Sequence, residues 1–189
     1  MTTQLETARL VLRQWKDTDR DAYFAMNSDP EVRRFFPSTQ TRAETDASMS
    51  NLRRHLDEHG WGLWAVEVRE TGELAGLTGL WPMPEGFAPG TEIGWRLARQ
   101  HWGKGYAPEA ARAVLAYAFT VLKLREVVSM TTVANQPSRR VMEKIGLTRN
   151  PVDDFVNPTY APDSPIAPHV LYRLTAENYR AARAERALL

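Results

Sequence analysis

The stretch from Thr91 to Leu122 constrains this chain more than any other. Thr91-Glu92-Ile93-Gly94-Trp95-Arg96-Leu97 alternates in the manner of a half-buried strand. From Tyr106 to about Leu122, Ala107, Ala110, Val114, Ala118 and Val121 recur at the spacing of a helix packed on a core. Between them stands Gln100-His101-Trp102-Gly103-Lys104-Gly105-Tyr106. A strand, a tight glycine turn and a helix N-terminus in that order converge backbone N–H groups, and the helix dipole favours negative charge there. The stretch predicts an anion cradle, and with it a phosphate-bearing ligand. The plainer alternative is a tight strand-to-helix turn that holds nothing.

Two familiar phosphate motifs do not fit. No Gly-Lys-Ser/Thr follows four intervening residues, as a P-loop requires. A dinucleotide fingerprint needs a third glycine and an acidic residue ending the next strand, and both are missing.

The rest of the chain sets the frame. Its 189 residues predict one domain, 1–189, able to bury a real core. Twenty-four basic and 23 acidic residues give a net charge of +1, against a broad nucleic-acid-binding surface. The absence of cysteine removes disulfides, thiolate metal sites and a cysteine nucleophile. No metal site is expected. No apolar run has signal-peptide or membrane-span character, so a cytoplasmic protein without a membrane partner is expected.

Arg9–Arg13 reads as a strand, and Asp17 to about Asn27 as a short helix capped by Asp17 or Thr18. A second helix runs from about Arg42 to His59, where Gly60 ends it. Trp61–Arg69 alternates with Trp64, Val66 and Val68 on one face, and Glu70–Glu73 turns the chain into a strand from Leu74 to Trp81. Val127–Val133 is a further strand. Pro137 suits the first turn of a helix ending near Gly146, and 151–168 is a proline-rich loop. A last strand spans His169–Leu174, and Ala176–Leu188 forms a terminal helix. The fold class is mixed α/β: antiparallel strands lead into a strand–helix–strand–helix half.

A second constellation, Asn135-x-x-Ser138-x-x-Val141-x-x-Lys144-x-Gly146-Leu147, lies on the strand end and helix downstream of the loop. Together with Gln100, Gly103 and Gly105 it resembles the GNAT acetyltransferase superfamily, whose phosphate loop reads Gln/Arg-x-x-Gly-x-Gly/Ala. Thr7, Arg9, Leu10, Leu12 and Arg13, the Glu-Ile-Gly-Trp strand and Trp102–Ala110 are similar to the Rim-type branch, which acetylates ribosomal-protein N-termini. The resemblance extends from Thr7 to about Leu174. It implies a central mixed sheet flanked by helices, with splayed strands forming a cleft for acetyl-CoA.

On that resemblance, backbone N–H groups of His101, Trp102, Gly103, Lys104, Gly105 and Tyr106 hold the pyrophosphate after Gln100. The main chain at Trp95, Arg96 and Leu97 pairs with the pantetheine arm. Arg99, Lys104, Arg139 and Lys144 are candidates to neutralise phosphate, or are plain surface charge. Asn135 binds pantetheine or caps the neighbouring backbone.

The reaction implied is direct attack of an amine on a thioester, which needs the amine neutral. At pH 7 a lysine-like amine is about 0.04% neutral and an α-amine roughly 14%. Glu92, on the strand entering the loop, is the base candidate, and the alternative is a strand residue paired with Arg96. Many relatives carry a tyrosine acid seven residues after the helix-opening Asn, but here that position is Met142, which has no proton to give. Ser138 is the substitute that Rim-type relatives suggest, and His169 and Tyr172 are further relay candidates. Relatives also carry a His-Pro before the last strand, where this chain has Asn157-Pro158.

Selectivity for the amine is expected from the helices before Gly60 and from the loops at 82–90 and 151–168. Trp61, Trp64, Trp81, Trp95 and Trp102 supply core or pocket walls, and Asp29, Glu31 and Glu85 are candidates to attract a cationic amine. The expected partners are acetyl-CoA and an amine, in a monomer or homodimer. The function expected is N-acetyl transfer to a peptide α-amine or a small amine. A CoA-binding sensor with degenerate catalysis is the alternative.

Overall fold

The computed structural model describes residues 3–83, 87 and 90–187. Glu85, one of the acidic candidates, lies outside the described residues. The protein is mixed α/β, with a mostly antiparallel sheet flanked by helices. It divides into two compact units, Met1–Trp81 with Gly94–Val114 and Pro82–Ile93 with Leu115–Leu189.

In the first unit β1 (Leu5–Glu6), β2 (Leu10–Arg13), β3 (Leu63–Val68) and β4 (Leu74–Pro82) form an antiparallel ladder. Leu10 pairs with Val68 and Leu12 with Val66, so the alternating apolar sets share the buried face. Trp15, Tyr23, Met49, Leu56 and Trp64 complete a close-packed core. Helix α1 (Arg20–Ser28) is preceded by a 3-10 turn at Asp17–Asp19. Asp19, not Asp17 or Thr18, closes this entry: its carboxylate accepts from the Lys16 N–H at 2.7 Å and takes both arms of the Arg13 guanidinium. A four-residue helix α2 (Pro30–Arg33), unforeseen in the sequence, follows. Helix α3 (Arg42–His59) opens on a reciprocal Thr41–Glu44 capping box and stops at left-handed Gly60, burying Thr45, Met49, Leu52 and Leu56 along one stripe.

In the second unit β6 (Glu126–Thr132) pairs antiparallel with β9 (Pro168–Thr175) along its whole length. The short strands β7 (Thr148–Arg149) and β8 (Phe155–Val156) also pair with β9, so the proline-rich stretch is not wholly irregular. Strand β5 (Thr91–Leu97) contributes its first residues here, with Glu92 in parallel register opposite Val128. Helix α5 (Gln136–Lys144) and helix α6 (Ala176–Ala187) complete this unit.

Helix α4 (Tyr106–Thr120) ends two residues before the expected Leu122. Lys123 adopts a left-handed conformation, and Leu124 N–H turns back to the Ala118 carbonyl. Val121, expected in the core, is therefore 60% exposed.

Candidate functional site

The glycine loop lies in the first unit. After β5 the chain makes a 3-10 turn over Arg99–His101. That turn consumes two amides assigned to the cradle: His101 N–H donates to Ala98 O at 2.9 Å and Trp102 N–H to Arg99 O at 3.1 Å. The amides of Gly103, Lys104, Gly105 and Tyr106 have no acceptor among the described residues. Gly103 and Gly105 sit at φ of 74° and 78°, the left-handed conformation that curls successive N–H groups inward. A Cβ on Gly103 would meet nothing within 4 Å, so the loop opens onto free space at the N-terminus of α4. Such a cradle fits a phosphate group.

The loop is braced from the other end of the chain. Thr7 Oγ1 donates to Glu109 Oε1 at 2.6 Å, and Arg9 donates to the same carboxylate from N and Nε at 3.0 and 2.7 Å. Arg9 Nη1 reaches the Lys104 carbonyl at 2.9 Å, and its guanidinium lies 4.9 Å from the Tyr106 ring centroid. Partial burial opposes ionisation of Glu109, but the Thr7 and Arg9 bonds outweigh it and lower its pKa. Sequence reading missed this contact, although both blocks were conspicuous. Trp102 adds a second tie, its indole N–H donating to Leu97 O at 2.8 Å. The Leu97 carbonyl thus already accepts one hydrogen bond.

His101 enters the cradle with neither its amide nor its ring. The ring is 2% exposed, has no hydrogen-bond partner at either nitrogen among the described residues and borders a hollow of about 390 Å³. Of the charges lining that hollow, Arg13 is matched to Asp19 at 2.7 Å and to Glu67 at 2.6 Å, while Glu73 Oε2 lies 4.0 Å from His101 Nε2. Gln100, Trp102 and Lys104 are exposed. Arg99 pairs with Asp29 at 3.3 Å.

The acidic candidates are occupied too. Asp29 caps α2 through the Glu31 N–H at 2.9 Å in addition to meeting Arg99. Glu31 faces Arg34 at 3.7 Å. Trp64 is wholly buried, whereas Trp61, Trp81 and Trp95 are half-buried and Trp102 is exposed. Trp61 and Trp81 both pack on His55, with ring centroids 5.5 and 4.2 Å away.

The second unit holds Glu92. Among the described residues its single side-chain hydrogen bond is a long one, from Met130 N–H at 3.4 Å. Burial dominates and pushes its pKa from 4.5 up to about 7. A carboxyl balanced near neutrality is what a general base at physiological pH requires. Ser129 Oγ steadies this strand by donating to Ile93 O at 2.8 Å.

Asn135 caps α5. Its Oδ1 accepts from Ser138 N–H at 3.3 Å, and its Nδ2 donates to Thr131 Oγ1 at 2.9 Å. Both ends of the side chain are thus engaged, as the capping alternative expects. Ser138 is half-buried in the first turn of α5. Met142 is 1% exposed and is a core residue. Tyr172 donates to Glu143 Oε1 at 3.0 Å and accepts from Arg139 Nε at 3.3 Å. The relay candidate and the phosphate candidate are therefore tied to each other. His169 is held at Nδ1 by the Ala167 carbonyl, 3.0 Å away, and at Nε2 by Asn157 Nδ2, 3.3 Å away. Burial lowers its pKa and favours the neutral ring, despite the opposing Ala167 bond. These two bonds tie it to the proline-rich stretch. Lys144 is exposed at the end of α5.

Residues 9–148 match the family model described as the acetyltransferase (GNAT) domain. The chain belongs to the GNAT acetyltransferase family. Among curated relatives of this GNAT protein, YkkB of Bacillus subtilis is 35% identical over 146 residues, 77% of this chain and 85% of that protein. The FsC-acetyl coenzyme A-N(2)-transacetylase of Aspergillus fumigatus is 34% identical over 185 residues, covering 93% of this chain and 77% of its own. Among solved structures, a GNAT-family acetyltransferase from Bacillus anthracis superposes with a TM-score of 0.78 at 26% identity, over 93% of this chain and 99% of that one.

Proposed function

We propose that this GNAT protein moves an acetyl group from acetyl-CoA to a primary amine by direct attack, with the whole chain acting as one catalytic domain. The observation that carries the reading is Glu92: a carboxyl raised to about 7, on the strand that runs into a loop with four unengaged amides. Acetyl-CoA supplies an acyl group activated as a thioester. The amides of Gly103–Tyr106 bind its pyrophosphate. Glu92 accepts the proton that the attacking amine loses, directly or through water, as the N–C bond forms and the C–S bond breaks. The departing thiolate has an ordinary pKa near 8.5, so a hydrogen bond from Ser138 is assistance enough, and no tyrosine acid is needed.

The acceptor is a peptide α-amine or a small amine. Likeness of the opening and loop blocks to the Rim-type branch supports the first, and the Aspergillus relative, named for transacetylation at an N(2) position, supports acetyl transfer to nitrogen in general. A cytoplasmic setting and a monomer or homodimer go with either.

Calorimetric titration with acetyl-CoA, followed by an amine panel read through release of the CoA thiol, tests the proposal. Binding followed by turnover that falls at least a hundredfold in Glu92→Gln is expected. Binding of CoA with no amine turned over would favour the non-catalytic sensor instead.

A further inference from the structure

One half-buried cation in the first unit, its Nε enclosed, has no part in the chemistry above. The Arg96 side chain leaves β5 and donates from Nη1 to Oδ1 of Asn27 at 2.6 Å. Asn27 is fully buried at the end of α1, and its Nδ2 donates to the Tyr23 carbonyl at 2.9 Å, which turns its oxygen toward the guanidinium. The Arg96 guanidinium lies 4.5 Å over the Phe36 ring, and Arg33 lies 4.2 Å over the same ring. Two cations thus share one aromatic side chain.

Their charge is not balanced at Arg96. Among the described residues it forms no ion pair, and its enclosed Nε has no acceptor. A guanidinium stays ionised in proteins, and enclosing it without a counter-charge is costly. One bond to a neutral amide and a stacked ring offset only part of that cost. Burial pulls the Arg96 pKa down to about 10, and the Arg33 charge adds to this against an opposing contribution from Tyr23. The group that would satisfy it is a planar anion facing the guanidinium edge, and a carboxylate has that shape. The environment is also wrong for a polycation, because Asp29 and Glu31 are spent on α2 and on arginines.

We infer that Arg96, held by Asn27 and Phe36, binds a carboxylate carried by the acceptor amine. The acceptors are then amino acids, ω-amino acids or short peptides with a free carboxyl end, and polyamines are excluded. This rests on the acetyl-transfer reading and names its substrate class. The transfer is unchanged: the acetyl group goes to the amine, the proton to Glu92, and the carboxylate is only held.

The test pairs each carboxylate-bearing amine with its carboxamide: glycine, β-alanine, γ-aminobutyrate, 6-aminohexanoate and alanylalanine, with spermidine as the polycation. The full chain is first titrated with acetyl-CoA, and failure to bind it overturns the acetyl-transfer reading itself. The expected result is a kcat/KM at least tenfold higher for the carboxylate member of one or more pairs. That ratio should fall toward one in Arg96→Gln, chiefly through KM, and recover in part in Arg96→Lys. Equal rates within every pair, preference for spermidine, or a ratio indifferent to Arg96→Gln would each overturn the inference. If acetyl-CoA binds but no amine turns over, calorimetry with the same pairs decides: binding of a carboxylate member that is lost in Arg96→Gln supports the site, and no binding overturns it. If Arg96→Gln does not fold, the same ratios are compared between Arg96→Lys and the wild type: a reduced ratio in Arg96→Lys supports the site, and an unchanged one overturns it.

Discussion

Glu92 Oε1 accepts one hydrogen bond, from the Met130 N–H, and at 3.4 Å it is too long to stabilise a carboxylate strongly. Burial therefore governs this residue, and its pKa stands near 7 rather than 4.5. The geometry that leaves the carboxyl poorly solvated also makes it basic enough to take a proton from an amine.

With an aminobenzoate acceptor, whose aryl amine stays neutral across the range and which carries the carboxylate, kcat/KM is expected to rise with pH and level off above about 7, the inflection belonging to Glu92. Glu92→Gln should lower the plateau by about 10²–10⁴-fold and abolish the inflection. A pH profile that keeps its inflection in Glu92→Gln would assign the titration to another group.

The same residue should weaken the fold. Its folded pKa lies above its unfolded value, so the native state holds the proton more tightly, and stability contributed at low pH is lost as pH rises through about 7. Glu92→Gln is therefore expected to be more stable than the wild type at pH 8, on the order of 1–3 kcal/mol, and no more stable at pH 4. Urea unfolding at both pH values measures the difference.

Gly103 separates folding from binding. Valine there must adopt φ near 74° and should cost about 1–2 kcal/mol of stability, whereas asparagine tolerates that conformation. Gly103→Asn should leave the unfolding midpoint nearly unchanged while weakening CoA binding at least tenfold, since its side chain enters the open space over the loop. Parallel losses of affinity and stability in Gly103→Asn would reduce the loop to a structural turn.

Glu109 is a carboxylate of the opposite kind. Its pKa is lowered, so its contribution to stability is complete above its unfolded value and lost as pH falls through the folded one. Glu109→Gln should cost about 1–3 kcal/mol at pH 7, converge with the wild type in acid, and weaken CoA binding several-fold through the loop it braces. Thermal unfolding and calorimetry read the two effects separately.

Features set by neighbours in sequence were legible before the structure. Gly60 ends α3, Asn135 caps α5, and Gly103 and Gly105 make a tight turn between strand and helix, because each responds to chemistry within a few residues. Assignments that depended on competition for partners were not. His101 and Trp102 looked like amide donors until a 3-10 turn used their N–H groups. Asp29 looked like a trap for cations until a four-residue helix, too short to leave a periodic signal, drew on its carboxylate. The Arg96 setting was invisible for a similar reason, since Asn27 and Phe36 reach it only after α1 and α2 are formed.

The tie between Arg9 and Glu109 joins residues 100 positions apart. A growing chain that has made Arg9 must add 100 more residues before Glu109 exists. The ligand cradle is therefore a late product of synthesis, and closing so large a loop adds chain entropy to the barrier. A nascent or N-terminally trimmed chain can own every glycine of the cradle and still lack its shape.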